Sequence, residues 1–127
     1  CASCHATDLF TDNSFRNNGL QVNPAINDIG RYRVTELDQD VYKFKVPSLR
    51  NIEKTVPYMH DGRLFTLEAV MEHYNSGVVN SNTLDPLLKT NGKLGIPTTE
   101  VEKTQIIAFL KTLTDTQYLT DKRFSEY

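Results

Sequence analysis

The two cysteines of this chain stand three apart, with a histidine directly after the second: Cys1-Ala2-Ser3-Cys4-His5. Two thiols one helical turn apart are spaced to add to the two vinyl groups of a haem, and the adjacent imidazole then lands beneath the iron. Other uses of such a pair fit less well. A structural zinc wants four Cys or His ligands, and the remaining histidines, His60 and His73, lack paired spacing. A thioredoxin-like dithiol follows a strand at the start of a helix, and this sequence shows no strand ahead of Cys1. The motif therefore predicts haem c held covalently by Cys1 and Cys4, with His5 as the proximal iron ligand.

At 127 residues and 39% apolar content, the chain can bury one modest core, so a single domain over residues 1–127 is expected. Fourteen basic against sixteen acidic residues give a formal charge of -2, which offers no basic face for nucleic acid. No apolar run approaches the roughly 18 residues of a membrane span. Covalent haem attachment takes place outside the cytoplasm, so a periplasmic location is expected, and an export leader and further sequence are expected upstream of Cys1.

Cys1 to Ala6 reads as the end of a short helix, and Thr7 to Gln39 as a loop-rich stretch dense in Asn, Asp and Gly. Such a stretch packs poorly on itself and is best stabilised by wrapping a large apolar object such as a porphyrin. Val41 to Phe44 alternates as a short strand ended by Pro47, and Pro57 and Gly62 bracket a turn. Thr66 is placed to N-cap a helix over Leu67 to Tyr74, with Glu68 in its first turn and Gly77 as the stop. A polar connector runs from Asn75 to Pro97. Thr99 and Glu102 then form a capping-box pattern for a helix through Thr114 with Ile106, Ile107, Phe109, Leu110 and Leu113 on its apolar face. The tail from Asp115 to Tyr127 reads as polar surface chain. The expected fold is mainly α, a cytochrome c-like haem domain with long loops that lacks its N-terminal helix, so that the apolar face of the last helix is left without its crossing partner.

Residues Tyr42 to Asn51 (YKFKVPSLRN), then Thr55 to Gly62 (TVPYMHDG) and Thr66-Leu67-Glu68, resemble the C-terminal haem domain of bacterial dihaem cytochrome c peroxidases. That family includes the dihaem enzyme that matures tryptophan tryptophylquinone. Asp28-Ile29-Gly30-Arg31-Tyr32 and Phe109 to Leu113 (FLKTL) are similar to family features too. The resemblance implies a two-domain peroxidase, an oxidoreductase with one c-type haem in each half. The N-terminal haem domain reacts with hydrogen peroxide. The C-terminal one accepts electrons from a small cytochrome c or cupredoxin and passes them on. One attachment motif makes this chain the electron-transfer part, inactive by itself as a peroxidase. A homodimer of the full protein stays open, as does a monohaem electron-transfer module.

The attachment motif, residue chemistry and this resemblance together single out individual residues. Pro47 is a candidate carbonyl acceptor for the His5 imidazole, and equally a strand-ending proline. For the sixth iron ligand the family position fourteen residues past His60 is Tyr74, as in the tryptophylquinone-maturing branch; Met59 and Met71 are the alternatives. His60, beside Asp61, is the catalytic candidate for moving protons or tuning the iron, or else part of a tight turn. Thr55 and Pro57 match positions whose carbonyls help hold a calcium ion between the two haem domains, a site incomplete in this chain. Arg50 is a candidate partner of a haem propionate or an ordinary surface arginine, and His73 is expected to face solvent.

Overall fold

The structure, a computed structural model, describes residues 1–90 and 92–125. Its longest element is the helix named here α3, Glu100–Thr112. Thr99 and Glu102 start it with the reciprocal bonds of a capping box, Glu102 N–H to the Thr99 hydroxyl at 3.3 Å and Thr99 N–H to the Glu102 carboxylate at 2.8 Å. Ile107 and Leu110 turn inward and pack against Leu67, Met71 and Tyr58 to form the main core. On the outer side of α3, Val101 and Phe109 remain exposed, and the edge of Phe10 meets the Phe109 ring at 6.1 Å.

A second helix, α2, spans Leu67–Glu72 and begins where the Thr66 hydroxyl accepts from Ala69 N–H at 3.1 Å, as the sequence indicates. It stops short of Tyr74. From His73 to Gly77 the backbone opens into a wider π-type turn. The Tyr74 carbonyl accepts instead from Ile96 N–H at 2.6 Å, across a close approach that Gly95 permits at φ +83°. A Cβ on Gly95 would stand 2.5 Å from that carbonyl oxygen.

The connector from Asn75 to Pro97 is less polar in its role than in its composition. Val78, Leu84 and Leu88 are buried there and, with Tyr74 and Ile96, make a second apolar cluster. Asp85 caps the short turn Pro86–Leu88, and the hairpin strands β3 (Lys89–Thr90) and β4 (Lys93–Leu94) follow.

The stretch from Thr7 to Gln39 is mostly loop, with one strand, β1 (Phe15–Arg16), and one helical turn, α1 (Tyr32–Thr35). β1 pairs antiparallel with β2 (Phe44–Lys45), Phe15 opposite Lys45. β2 lies later than the expected Val41–Phe44, because Tyr42 sits at φ +59° with its N–H on the Ile29 carbonyl at 2.9 Å. Gly30 fits the same crossing. Arg31 N–H meets the Lys43 carbonyl at 2.8 Å, and a Cβ on Gly30 would fall 2.5 Å from that oxygen. The tail corrects expectation in part. Asp115 N-caps α4, Thr116–Thr120, which leaves Tyr118 and Leu119 exposed; Glu126 and Tyr127 lie outside the described residues. No helix among the described residues is long and apolar enough to cross a membrane.

Candidate haem site

Cys1 to His5 winds into a single helical turn, with Cys4 N–H and His5 N–H both on the Cys1 carbonyl at 3.1 and 2.9 Å. Both thiols are free, Cys1 exposed and Cys4 partly so. His5 Nδ1 lies 3.0 Å from the Phe10 carbonyl oxygen. A carbonyl only accepts, so Nδ1 carries the proton and Nε2 keeps its lone pair. Burial pushes the His5 pKa down, against the pull of the Phe10 and Pro47 carbonyls, so the ring is neutral at physiological pH. Pro47, the expected acceptor, acts on the ring as the second of two carbonyls; Phe10 is the one at hydrogen-bond distance.

Two loops are stitched together to hold that geometry. The Thr11 hydroxyl donates to the Val46 carbonyl at 2.6 Å, and the Ser48 hydroxyl to the Leu9 carbonyl at 2.6 Å. Arg50 donates through Nε and one terminal nitrogen to the Asp8 carbonyl at 3.1 and 2.8 Å.

On the Cys4 side, Arg16 bridges Asp12 and Asp85, both at 2.7 Å. Hydrogen bonds from Ser14 and Arg16 hold the Asp12 carboxyl well below its ordinary range. Burial raises the Cys4 pKa; Arg16 opposes that rise, and Asp85 and Asp12 add to it.

Tyr74 stands in the same neighbourhood. Burial raises its pKa, the Asn18 side chain lowers it by favouring the phenolate, and negative charge at Cys4 raises it again. Asn18 Nδ2 also donates to the Met59 sulfur at 3.3 Å, and Met59 sits at φ +73°. Met71 is elsewhere, enclosed in the core between α2 and α3. His73 does not face solvent as expected. It is 8% exposed, its Nε2 is 3.1 Å from the Asn18 carbonyl, and its ring meets Tyr74 edge-on at 5.1 Å. The widened turn after Glu72 carries it inward.

His60 and Asp61 part company. The Asp61 side chain is almost wholly buried and paired with Arg63, whereas the His60 ring stacks on Phe44 at 3.7 Å. Loss of water around that ring lowers its pKa, although Asp61 and Asp28 pull the other way. The Thr55 and Pro57 carbonyls accept no hydrogen bond among the described residues, and both residues are exposed.

These residues fit a covalent haem: free thiols on one turn, a neutral imidazole with its free nitrogen fixed by a carbonyl, and a phenol near the Cys4 side. No protein-family model matches the chain. It is 41% identical over 115 residues to the methylamine utilization protein MauG of Methylorubrum extorquens, covering 89% of this chain and 30% of that protein. It is 36% identical over 122 residues to cytochrome c551 peroxidase of Nitrosomonas europaea, covering 92% of this chain and 31% of the relative. A crystal structure of a MauG-like protein associated with microbial copper homeostasis superposes with a TM-score of 0.81 at 34% identity, over 98% of this chain and 42% of that one.

The chain belongs to the bacterial dihaem cytochrome c peroxidase family.

It spans about a third of the length of the curated relatives it matches. The diheme peroxidase BthA of Burkholderia thailandensis shares this part of the dihaem peroxidase fold with a TM-score of 0.67 at 25% identity, over 94% of this chain and 40% of that one. Two residues of the site escaped the sequence reading, Phe10 and Asn18. Phe10 acts through its carbonyl, which no side chain advertises. Asn18 lies in a stretch rich in Asn, where nothing in the pattern separates a site residue from a turn residue.

Proposed function

We propose that this chain carries one haem c on Cys1 and Cys4, with His5 and Tyr74 as iron ligands, and is the electron-transfer domain of a dihaem peroxidase. The observation that supports it is the convergence of the His5 turn and Tyr74: Nε2 is left free by the Phe10 carbonyl, and the phenol lies within the electrostatic reach of Cys4. When bound, haem supplies a one-electron iron couple. The chain's own part is to fix that couple in place. His5 is held neutral and oriented, the loops joined by Thr11, Ser48 and Arg50 keep it there, and Arg50 retains donors for a propionate. His60, exposed at one edge and stacked on Phe44, is suited to carry protons.

In the whole protein, hydrogen peroxide takes two electrons and two protons and gives two waters at the haem of an N-terminal domain. The electrons come singly through this domain from a small periplasmic cytochrome c or cupredoxin. Calcium would use the Thr55 and Pro57 carbonyls together with ligands from that other domain. Tyr74 in place of methionine favours a second reading within the family. A phenolate ligand stabilises ferric iron, which suits an oxidase that withdraws electrons from a partner protein, as in the MauG branch.

A pyridine haemochrome assay on the purified, haem-loaded chain tests the first step, and peroxide-dependent oxidation of a reduced cytochrome c by the whole two-domain protein tests the second. Absence of covalent haem would overturn the proposal. Covalent haem without oxidation of the donor, alongside peroxide-dependent oxidation of a protein tryptophan, would favour the second reading.

A further inference from the structure

We infer that Ser48 and Arg50 are positioning residues of the proximal ligand: they select which carbonyl of the loop after the cysteine turn receives the His5 N–H, and so tune the haem that His5 holds. The inference rests on His5 ligation, as proposed above, and assigns Arg50 a role that needs no propionate.

Thr7, Phe10 and Asn13 in that loop all sit in the left-handed region, at φ +67°, +53° and +57°. A bulky residue such as Phe10 keeps that conformation only where its surroundings impose it. A run of side-chain donors does so. The four successive carbonyls from Asp8 to Thr11 each accept from a different side chain. Asp8 accepts from Arg50, through Nε at 3.1 Å and Nη2 at 2.8 Å, and Leu9 from the Ser48 hydroxyl at 2.6 Å. Phe10 accepts from His5 Nδ1 at 3.0 Å, and Thr11 from the Thr7 hydroxyl at 3.3 Å. The Ser48 hydroxyl also accepts from Arg50 N–H at 3.1 Å, which fixes its direction, and the Thr11 hydroxyl ties Val46 to the same loop at 2.6 Å. With the Asp8 and Leu9 carbonyls drawn to segment 46–50, the Phe10 carbonyl is the one left to meet the imidazole.

A hydrogen bond donated by Nδ1 pushes electron density toward Nε2, and a more electron-rich imidazole favours ferric iron. Loosening the two neighbouring carbonyls lets Phe10 tilt away from His5, so it raises the reduction potential. Charge acts with the opposite sign. A guanidinium that served only a propionate would favour ferrous iron, and its removal would lower the potential. The two roles open to Arg50 are therefore separable in one measurement.

The test uses the haem-loaded protein with Ser48→Ala, Ser48→Thr, Arg50→Lys and Arg50→Gln. Both side chains are exposed, so the core is untouched. Ser48→Ala and Arg50→Lys, which leave the charge unchanged, should each raise the reduction potential. Ser48→Thr keeps the hydroxyl and should stay at the wild-type value. In a His5→Gly background, imidazole and N-methylimidazole are titrated with and without Ser48→Ala and Arg50→Lys. The preference for imidazole should fall about fivefold when both are added, the worth of one hydrogen bond. Arg50→Lys at the wild-type potential, with Arg50→Gln below it, would reduce Arg50 to a propionate's counter-charge and overturn its role here. Ser48→Ala at the wild-type potential would do the same for Ser48. If His5→Gly changes the spectrum but the imidazole preference survives both substitutions, the positioning role falls and His5 ligation stands. If His5→Gly leaves the spectrum unchanged, His5 ligation and this inference fall together.

Discussion

His73 Nε2 lies 3.1 Å from the Asn18 carbonyl oxygen, so the end of α2 is fastened to a loop far earlier in the chain through a buried imidazole. Burial lowers the pKa of His73, and it does the same to His5 and His60. A histidine whose folded pKa lies below its unfolded value of about 6.5 is fully stabilising above that pH. The unfolded chain binds the extra proton first, so stability is lost as pH falls through about 6.5 toward the folded value. Thermal unfolding of the protein should therefore show a lower Tm at pH 5 than at pH 7. His73→Gln can still donate to the Asn18 carbonyl and has no proton to gain, so its loss between the two pH values should be smaller than that of wild type.

Gly95 controls the other side of the same junction. At φ +83°, with a Cβ position 2.5 Å from the Tyr74 carbonyl oxygen, Gly95→Ala must displace backbone as well as strain itself. A cost of about 1–3 kcal/mol is expected. Gly92 provides the control, since it has φ +76° with nothing among the described residues within 4 Å of its Cβ position, and Gly92→Ala should cost about 1–2 kcal/mol from strain alone. Urea denaturation of both variants checks the order; equal losses would mean that the Tyr74 junction yields freely.

The helices were the legible part of this chain, because a cap is a local chemical event. Thr66 with Ala69, and Thr99 with Glu102, satisfy orphan N–H groups within one turn, and the residues that do so are adjacent in sequence. Cys1, Cys4 and His5 are legible for the same reason. Tyr74 came from family resemblance, and its surroundings could not have been read locally. Its carbonyl partner is Ile96, and the neighbouring His73 is tied to the Asn18 carbonyl from the opposite direction along the chain. The second apolar cluster was hidden because Val78, Leu84 and Leu88 follow neither helical nor strand spacing; loop geometry brings them together. His73 was misread for a related reason. A regular helix continued from Thr66 would turn it outward, and the wider turn after Glu72 turns it in.

The main core and its cap give two stability predictions of different size. Thr99→Ala removes a hydroxyl that serves Glu102 N–H and should cost about 1 kcal/mol. Leu110→Ala empties a buried site shared with Leu67, Met71 and Ile107 and should cost about 2–5 kcal/mol. Because α3 keeps Val101 and Phe109 exposed, the loss at Leu110 should also show as increased binding of a hydrophobic dye.

Tyr74→Met exchanges an anionic oxygen donor for a neutral thioether, which favours ferrous iron. The reduction potential of the haem-loaded protein should rise, and a methionine-to-iron band should appear in the far red. Spectroelectrochemical titration reads both. An unchanged potential would place the sixth ligand elsewhere.

His5→Gly is the sharpest test of the proximal side, because it separates the ligand from the covalent anchors. Cys1 and Cys4 remain free to form both thioether bonds, so the haemochrome assay should still find attached haem. The Phe10 carbonyl that fixes the imidazole would remain within its loop, where the Thr11 hydroxyl holds the Val46 carbonyl at 2.6 Å. Added imidazole can then occupy the space left by the ring, donate one N–H to Phe10 and offer its other nitrogen to the iron. A low-spin spectrum restored by imidazole, and not by an equal concentration of N-methylimidazole, is the expected result. The methyl group blocks the donor that the Phe10 carbonyl requires. Equal rescue by both compounds would show that the carbonyl does not orient the ligand.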